Sequence, residues 1–221
     1  MFKSFQRSLS QGRDSFGNVC VYGCAVQPHQ RFSVEVTGTA HTGLAPDEEG
    51  GSSHQAARFK YQTDLTRPGP AISAFWLELT RNGTPLEKAT AWMDALYGRF
   101  RYVAGTTGIY TTAEQAIAQG MGVCQDYAHI LISLCRMDGI PCRYVAGLLP
   151  GEGESHAWME LYHEGRWIAL DPTHNRLAGE GYIQFSAGRD SADCSINRGV
   201  FLGQARQFQT VRAWAGEEEP I

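Results

Sequence analysis

The sequence predicts an α+β chain, and three observations carry that prediction. Runs rich in β-branched residues open the chain. Segments with a helical period of apolar residues fill the middle. A second group of strand-like runs follows residue 141. In order, "VCVYGCAV" (Val19 to Val26) and "RFSVEVTGTA" (Arg31 to Ala40) read as strands, with "QPHQ" as the turn of a hairpin between them. The segment "HTGLAPDEEGGSSHQ" is polar and rich in Gly and Ser, so it reads as a loop or linker, and "DLTRPGP" breaks any periodicity near residues 65 to 70. A boundary there gives a β module with its linker at residues 1–68 and a second domain at residues 69–221.

In the second domain, "TPLEKATAWMDALYGRF" fits an amphipathic helix with Leu86, Ala89, Trp92, Met93 and Leu96 on one side. "TTAEQAIAQG" opens with Thr111 three residues before Glu114, a capping-box pattern, and closes on Gly120. "GMGVCQDYAHILISLC" follows. Its Ile130, Leu131, Leu134 and Cys135 recur at helical spacing, and Gly139 with Pro141 stops the helix. "CRYVAGLL", "HAWMELYH" and "RWIALD" read as three strands, the last two joined at "HEGR" by a two-residue Glu-Gly turn. "GYIQFSA" and "RQFQTVRAW" are two further strand candidates, and "EEEP" reads as a frayed end.

Composition excludes several classes of function. The 221 residues are 43% hydrophobic, enough for one good core, and carry a net charge of −4 with no run of Lys or Arg, which argues against a nucleic-acid binder. No apolar stretch approaches the roughly 18 residues of a membrane span. The opening "MFKSFQRSLSQGRDSFGN" lacks the apolar region of a signal peptide, so a soluble cytoplasmic protein is expected. The six cysteines are irregularly spaced without a C-x-x-C pair, as expected of reduced thiols. Cys20 and Cys24 fall on one face of a strand, which suits packing better than zinc.

Chemistry concentrates at three places. Cys124 stands where a glycine-lined turn becomes a helix. The first amides of a helix are unpaired, and with the dipole they favour a thiolate and an oxyanion. His156 opens a strand that places His156, Trp158, Glu160 and Tyr162 on one face and the apolar Ala157, Met159 and Leu161 on the other. Asp171 ends the next strand. With the hairpin turn near Glu164 and Gly165, His156 and Asp171 fall at the same open end, within a residue or two of register. An Asp there can orient the imidazole and stabilise imidazolium. Each residue also has a bland explanation: a small buried thiol, a packed histidine, an Asx turn before proline. The joint geometry favours an enzyme.

"GVCQDYAHILISLCRMDGIPCRYVAG", "SHAWMELYHEGRWIALDPTHN" and "GRDSADCSINRGVF" resemble the bacterial transglutaminase-like family of cysteine proteases, over about residues 71 to 215. "DSFGNVCVYGCAVQPHQRFSVEVTG" is more weakly similar to that family's N-terminal β module, here short, as if its first strands were missing. The resemblance matches the family's Cys, His and Asp motifs to Cys124, His156 and Asp171. It implies a papain-like core in which a helix bearing the nucleophile packs on an antiparallel sheet bearing the other two residues.

The expected activity is thiol-dependent acyl transfer on an amide, with hydrolysis of a peptide or isopeptide bond through a thioester and no cofactor. The alternatives are glutamine cross-linking, a peptide-binding scaffold with an unreactive cysteine, and a metal-dependent hydrolase using His156, Asp171 and His174, with Cys124 as a further candidate ligand. The last lacks any recognised ligand motif, and no stoichiometric zinc is expected. Tyr102 is the candidate second oxyanion donor, and Gln125 and Trp158 are candidate substrate contacts. Asp126 suits the first turn of its helix, His129 falls off the Cys124 face, and His163 and His174 have no evident partner. The loops "GLLPGEGES" and "AGTTGIYTT" are expected to wall the cleft.

Overall fold

The computed structural model describes residues 2–3, 9–25, 29–42, 53–149, 155–200 and, in the tail, 202–204, 206, 208, 210 and 212–216. The chain is a five-stranded antiparallel sheet covered on one face by helices, with small two-stranded pairings at its N-terminal end.

The N-terminal pairings differ from the expected hairpin. Strand β1 (Phe2–Lys3) pairs with β4 (Glu35–Val36), and β2 (Leu9–Arg13) pairs with β3 (Val19–Gly23). The run at Val19 therefore turns back on the polar segment "LSQGR", not on the run at Arg31. The reason is the turn between β2 and β3. The Asp14 carboxylate accepts from the amides of Phe16 (2.8 Å) and Asn18 (2.9 Å), and Gly17 supplies a φ of 89°. That local chemistry outweighs the low β propensity of "LSQGR".

The three helices after residue 84 follow their sequence signals, while two earlier ones were not expected, the first of them overlapping the segment read as a linker. Helix α1 (Ser53–Ala57) runs into a 3-10 turn at Arg58–Lys60, and α2 spans Pro70–Glu78. Helix α3 (Pro85–Tyr97) carries the Thr84/Glu87 capping box and buries Ala89, Trp92, Met93 and Leu96, with Leu86 partly buried. Helix α4 (Ala113–Gln119) is capped one residue later than expected. Thr112 and Gln115 form the box, while Thr111 accepts from the amide of Gly108. Glu114 is thereby released for another task. Its carboxylate accepts from the amides of Gly69 (2.9 Å), Ala71 (2.7 Å) and Ile72 (3.0 Å) at the start of α2. A long-range carboxylate replaces the local cap that α2 lacks.

Helix α5 (Cys124–Met137) is the centre of the molecule. Every residue from Asp126 to Arg136 is buried. It packs against α2, α3 and α4 on one side and against β7 (Cys142–Leu148) and β8 (Ser155–His163) on the other. The sheet order is β10-β9-β8-β7-β11, with β9 at Arg166–Asp171, β10 at Arg176–Leu177 and β11 at Ile183–Gly188. Cys142, Tyr144 and Ala146 of β7, Ala157, Met159 and Leu161 of β8, and Leu170 of β9 share the core with α5. Val145, Trp158 and Ala187 form a smaller cluster on the opposite face. The β8–β9 turn uses positive φ at Glu164 (50°) and Gly165 (83°), as a two-residue hairpin requires. The described residues of "RQFQTVRAW" carry no strand, and among the described residues β11 is the last strand of the sheet.

Residues 53–66 pack on the helix–sheet unit. Phe59 is buried and meets the Trp167 ring edge-on at 5.4 Å. The buried Arg136 of α5 donates to the carbonyls of Phe59, Cys142 and Arg189 and to the Thr66 hydroxyl. One guanidinium thus ties this segment, β7 and the turn after β11 to the central helix. Among the described residues, no helix is long and apolar enough to cross a membrane.

Candidate active site

Cys124 is the first residue of α5. Gly120 ends α4 in the left-handed region (φ 73°), and the two-residue strand β6 (Met121–Gly122) leads into the helix. β6 pairs in parallel with β5 (Arg101–Tyr102). Asp126 caps the start of α5: its Oδ2 accepts from the Val123 amide (2.8 Å) and from the Thr107 hydroxyl (2.6 Å). A Cβ on Gly122 would collide with this carboxylate, so the second glycine of the turn makes room for the cap. Burial pushes the Asp126 carboxyl up, against the hydrogen bonds it accepts. The first intrahelical bonds run from Asp126 and Tyr127 to the Val123 carbonyl. The amides of Cys124 and Gln125 precede them and, as the first amides of a helix, have no intrahelical acceptor.

His156 and Asp171 lie on the sheet face opposite the α5 core. The register Met159↔Leu170 puts Asp171, the next residue of β9, opposite Trp158, and His156 is two residues along β8 on the same face. Gly147 faces His156 on β7. A side chain there would strike the Trp158 ring and the Ile183 carbonyl, so the glycine lets Trp158 lie flat. His156 Nε2 donates to Asp171 Oδ2 at 2.8 Å, and both residues are buried. Nδ1 is left for the thiol of Cys124, a hydrogen-bond partner of the ring. Burial alone would lower the basicity of His156. The hydrogen bonds to Asp171 and Cys124, and their charges, overcome it and raise its pKa to about 10.

Asp171 has more partners than the sequence suggested. Its Oδ2 also accepts from His174 Nδ1 (2.7 Å) and from the Tyr182 hydroxyl (2.6 Å). Its Oδ1 accepts from the amides of Thr173 (2.9 Å) and His174 (3.3 Å). Burial would favour the neutral acid. The donors, led by His156, hold the carboxyl far below the ordinary carboxylate range. Arg176 Nε in turn donates to the Tyr182 hydroxyl at 2.9 Å. His174 is thus a member of the site. Its one sequence signal was the i,i+3 spacing after an Asp-Pro turn. Tyr182 gave no signal, because it reaches Asp171 from the far side of the sheet order.

The supporting candidates fall in different places. Tyr102 pairs in register with Gly122, two residues before the nucleophile, and is 54% exposed. Gln125 donates through its side chain to the Gly108 carbonyl at 3.3 Å, so it braces the loop at 104–112. Trp158, expected as a substrate contact, is 2% exposed and stacks on the His156 ring with centroids 6.1 Å apart. It supports the imidazole from below and offers no surface to a ligand. His129, off the Cys124 face as expected, is fully buried and accepts from the Ser191 amide at 3.1 Å. His163 lies beside Glu164 at 3.8 Å. Of the two expected cleft loops, 104–112 is described, while residues 150–154 of the other lie outside the described residues. A groove of about 560 Å³ between α3 and β10 contains none of the three central residues.

His156, Asp171 and His174 are the group, among the described residues, that could converge on a metal ion. Their nitrogen–oxygen separations of 2.7–2.8 Å are those of shared protons. Ligands at 2.0–2.1 Å on a tetrahedral ion stand roughly 3.3 Å apart. The spacing fits hydrogen bonding, and the carboxylate fits an imidazole orienter.

Comparisons with known proteins agree with this arrangement. Residues 76–172 match the model of the transglutaminase-like superfamily, a span that includes Cys124, His156 and Asp171. An uncharacterized protein of Mycobacterium leprae is 32% identical over 152 residues, 64% of this chain and 54% of its own length. The chain therefore spans about half of that relative. An uncharacterized protein of Mycobacterium tuberculosis is 27% identical, over 86% of this chain and 71% of its own. A crystal structure from Cytophaga hutchinsonii, described as that of a candidate cysteine protease, superposes with a TM-score of 0.65 at 22% identity, over 88% of this chain and 74% of that one. Residues 76–172, with the helix-borne thiol and the strands that bear His156 and Asp171, are thus similar to the transglutaminase-like superfamily, and the fold is of that kind.

Proposed function

We propose that the chain is a cysteine-dependent amide hydrolase acting on peptide or isopeptide bonds, with Cys124, His156 and Asp171 as its catalytic residues. The observation that carries this reading is the relay from a helix-terminal thiol to an imidazole to a buried carboxylate. His156 takes the thiol proton, and Cys124 Sγ attacks the carbonyl carbon. The oxyanion forms beside the amides of Cys124 and Gln125, with the Tyr102 phenol as candidate second donor. The carbon–nitrogen bond breaks as the imidazolium gives its proton to the leaving amine, and a thioester remains. Water, deprotonated by His156, adds to the thioester. Collapse releases the acid and returns the proton to the thiol. The substrate is a peptide or protein amide, and no step needs a cofactor. The described cysteines are free thiols, which suits a reducing compartment such as the cytoplasm.

The test is the pH dependence of iodoacetamide alkylation at each cysteine, read by peptide mass spectrometry, with His156→Ala alongside. Cys124 is expected to label fast into mildly acidic pH and to lose that advantage in the variant. Labelling no faster than at Cys135 or Cys142 would instead support a non-catalytic scaffold. Incubation of a glutamine peptide with a primary amine separates the two chemistries: release of ammonia without amine incorporation is the hydrolytic outcome.

A further inference from the structure

Asp171 Oδ2 is an unusual acceptor. It takes an imidazole N–H, a second imidazole N–H and a phenol O–H, all within 2.6–2.8 Å, while Oδ1 takes two amides. Orientation of His156 needs only one of these donors. The Thr173 and His174 amides already hold the carboxylate in place from the other side. The Tyr182 and His174 side chains must therefore do something besides anchoring.

A carboxylate that accepts several hydrogen bonds is a weaker base toward each. Asp171 without these two donors would bind the imidazolium still more firmly. In the proposed reaction the imidazolium must give its proton to an amine leaving group. An imidazole held too firmly as a cation is a poor acid. The structure also anchors the donors themselves. Arg176 donates to the Tyr182 oxygen and lies over its ring at 5.4 Å to the centroid, and the Trp158 and Tyr182 rings meet edge-on at 5.3 Å. The His174 ring lies 5.2 Å from that of His156.

We propose that Tyr182 and His174 are positioning residues that act through Asp171, dividing its hydrogen-bonding capacity so that His156 can release its proton to the leaving group. The proposal rests on the hydrolase reading above. Among the described residues, the titratable groups facing His156 are Cys124 from α5, Asp171 and His174 from the end of β9 and its turn, and Tyr182 ahead of β11, with Arg176 of β10 behind it.

The experiment is a ¹⁵N NMR titration of the His156 ring in the full chain, for the parent, Tyr182→Phe, His174→Ala and His174→Asn. Tyr182→Phe removes one oxygen and keeps the ring against Trp158. His174→Asn keeps a donor near the Nδ1 position. Tyr182→Phe and His174→Ala are each expected to raise the His156 midpoint by about half a pH unit, a roughly threefold shift in the proton equilibrium. His174→Asn is expected to restore it. A midpoint that stays or falls in a variant with the parent's thermal melting profile overturns the proposal, as does an upward shift that Asn fails to reverse. The midpoint is read on the imidazole itself, so it remains measurable if Cys124 proves unreactive. Slow, His156-independent alkylation would count against the hydrolase reading alone.

Discussion

At the residue scale, two histidines have been pushed in opposite directions. His156 is raised to about 10 in spite of its burial, and His129 is lowered to about 3, first by burial and then by the nearby Arg136 charge. The consequences for stability have opposite signs. The His156 contribution is fully present below the ordinary histidine value near 6.5 and is lost as pH rises toward 10. His129 is neutral when folded and charged when unfolded in acid, so it destabilises the fold progressively as pH falls from about 6.5 toward 3, with a limiting slope of about 1.4 kcal/mol per pH unit. Urea unfolding between pH 7 and 4 should show a shallower loss of stability in His129→Gln than in the parent. Asp171→Asn removes the charge that sustains the His156 imidazolium. The ring midpoint should drop by several units by NMR, and peptide hydrolysis should fall by about 10⁴-fold while the fold persists. The three catalytic candidates were legible in the sequence because each sits at an element boundary that the sequence marks: a glycine turn, a strand start and an Asp-Pro stop. Tyr182 and the role of His174 were not. His174 lies only three residues beyond Asp171, but nothing in that spacing told a hydrogen-bond donor from a metal ligand, and the arrival of Tyr182 depends on β11 and β9 lying on opposite sides of β8 and β7, which no local pattern encodes.

At the scale of elements, the helices are fixed by polar groups reaching across the chain. Glu114 of α4 is the N-terminal cap of α2, although the two are more than 40 residues apart. Glu114→Ala should cost about 1–3 kcal/mol in chemical denaturation, since three amides lose their acceptor. The sequence placed this glutamate in a local capping box with Thr111. The spacing was right for a box, and the one at Thr112 and Gln115 lies a single residue away. The choice was settled by a tertiary demand that no window reveals. Arg136 gives a sharper case. Its guanidinium satisfies three carbonyls and a hydroxyl, and a lysine cannot reach all four. Arg136→Lys should lower stability by about 3 kcal/mol or more, read as a fall in urea midpoint. The long periodic helices and the Glu-Gly hairpin, by contrast, were legible throughout, because local preference and tertiary packing agree there.

At the scale of the molecule, the segment before α2 is the instructive part. The sequence suggests a boundary at residue 68 from its Pro- and Gly-rich punctuation. In the structure, Phe59 and Thr66 are buried, and Gln62 donates to the Ser133 carbonyl of α5 at 2.9 Å. A chain begun at residue 53 should therefore melt well above one begun at residue 69, by differential scanning calorimetry. Equal melting temperatures would place this segment outside the cooperative unit. The expected N-terminal hairpin failed for a related reason. Strand pairing is a choice between distant partners, and "LSQGR" advertises little β propensity of its own.

Asn18, in the turn of the first hairpin, makes two hydrogen bonds to one residue of β11: its side-chain oxygen accepts from the Ala187 amide and its side-chain nitrogen donates to the Ala187 carbonyl, both at 2.8 Å. Its carboxamide imitates a peptide group and counts as a single residue of a sixth strand. At that point the outward N–H and C=O of Ala187, which would otherwise be open to a strand from another molecule, are already engaged. Asn18→Ala leaves Cys124, His156 and Asp171 in place and uncaps that N–H and C=O, so a greater tendency of copies of the chain to associate edge to edge is expected, read as a rise in particle size by light scattering.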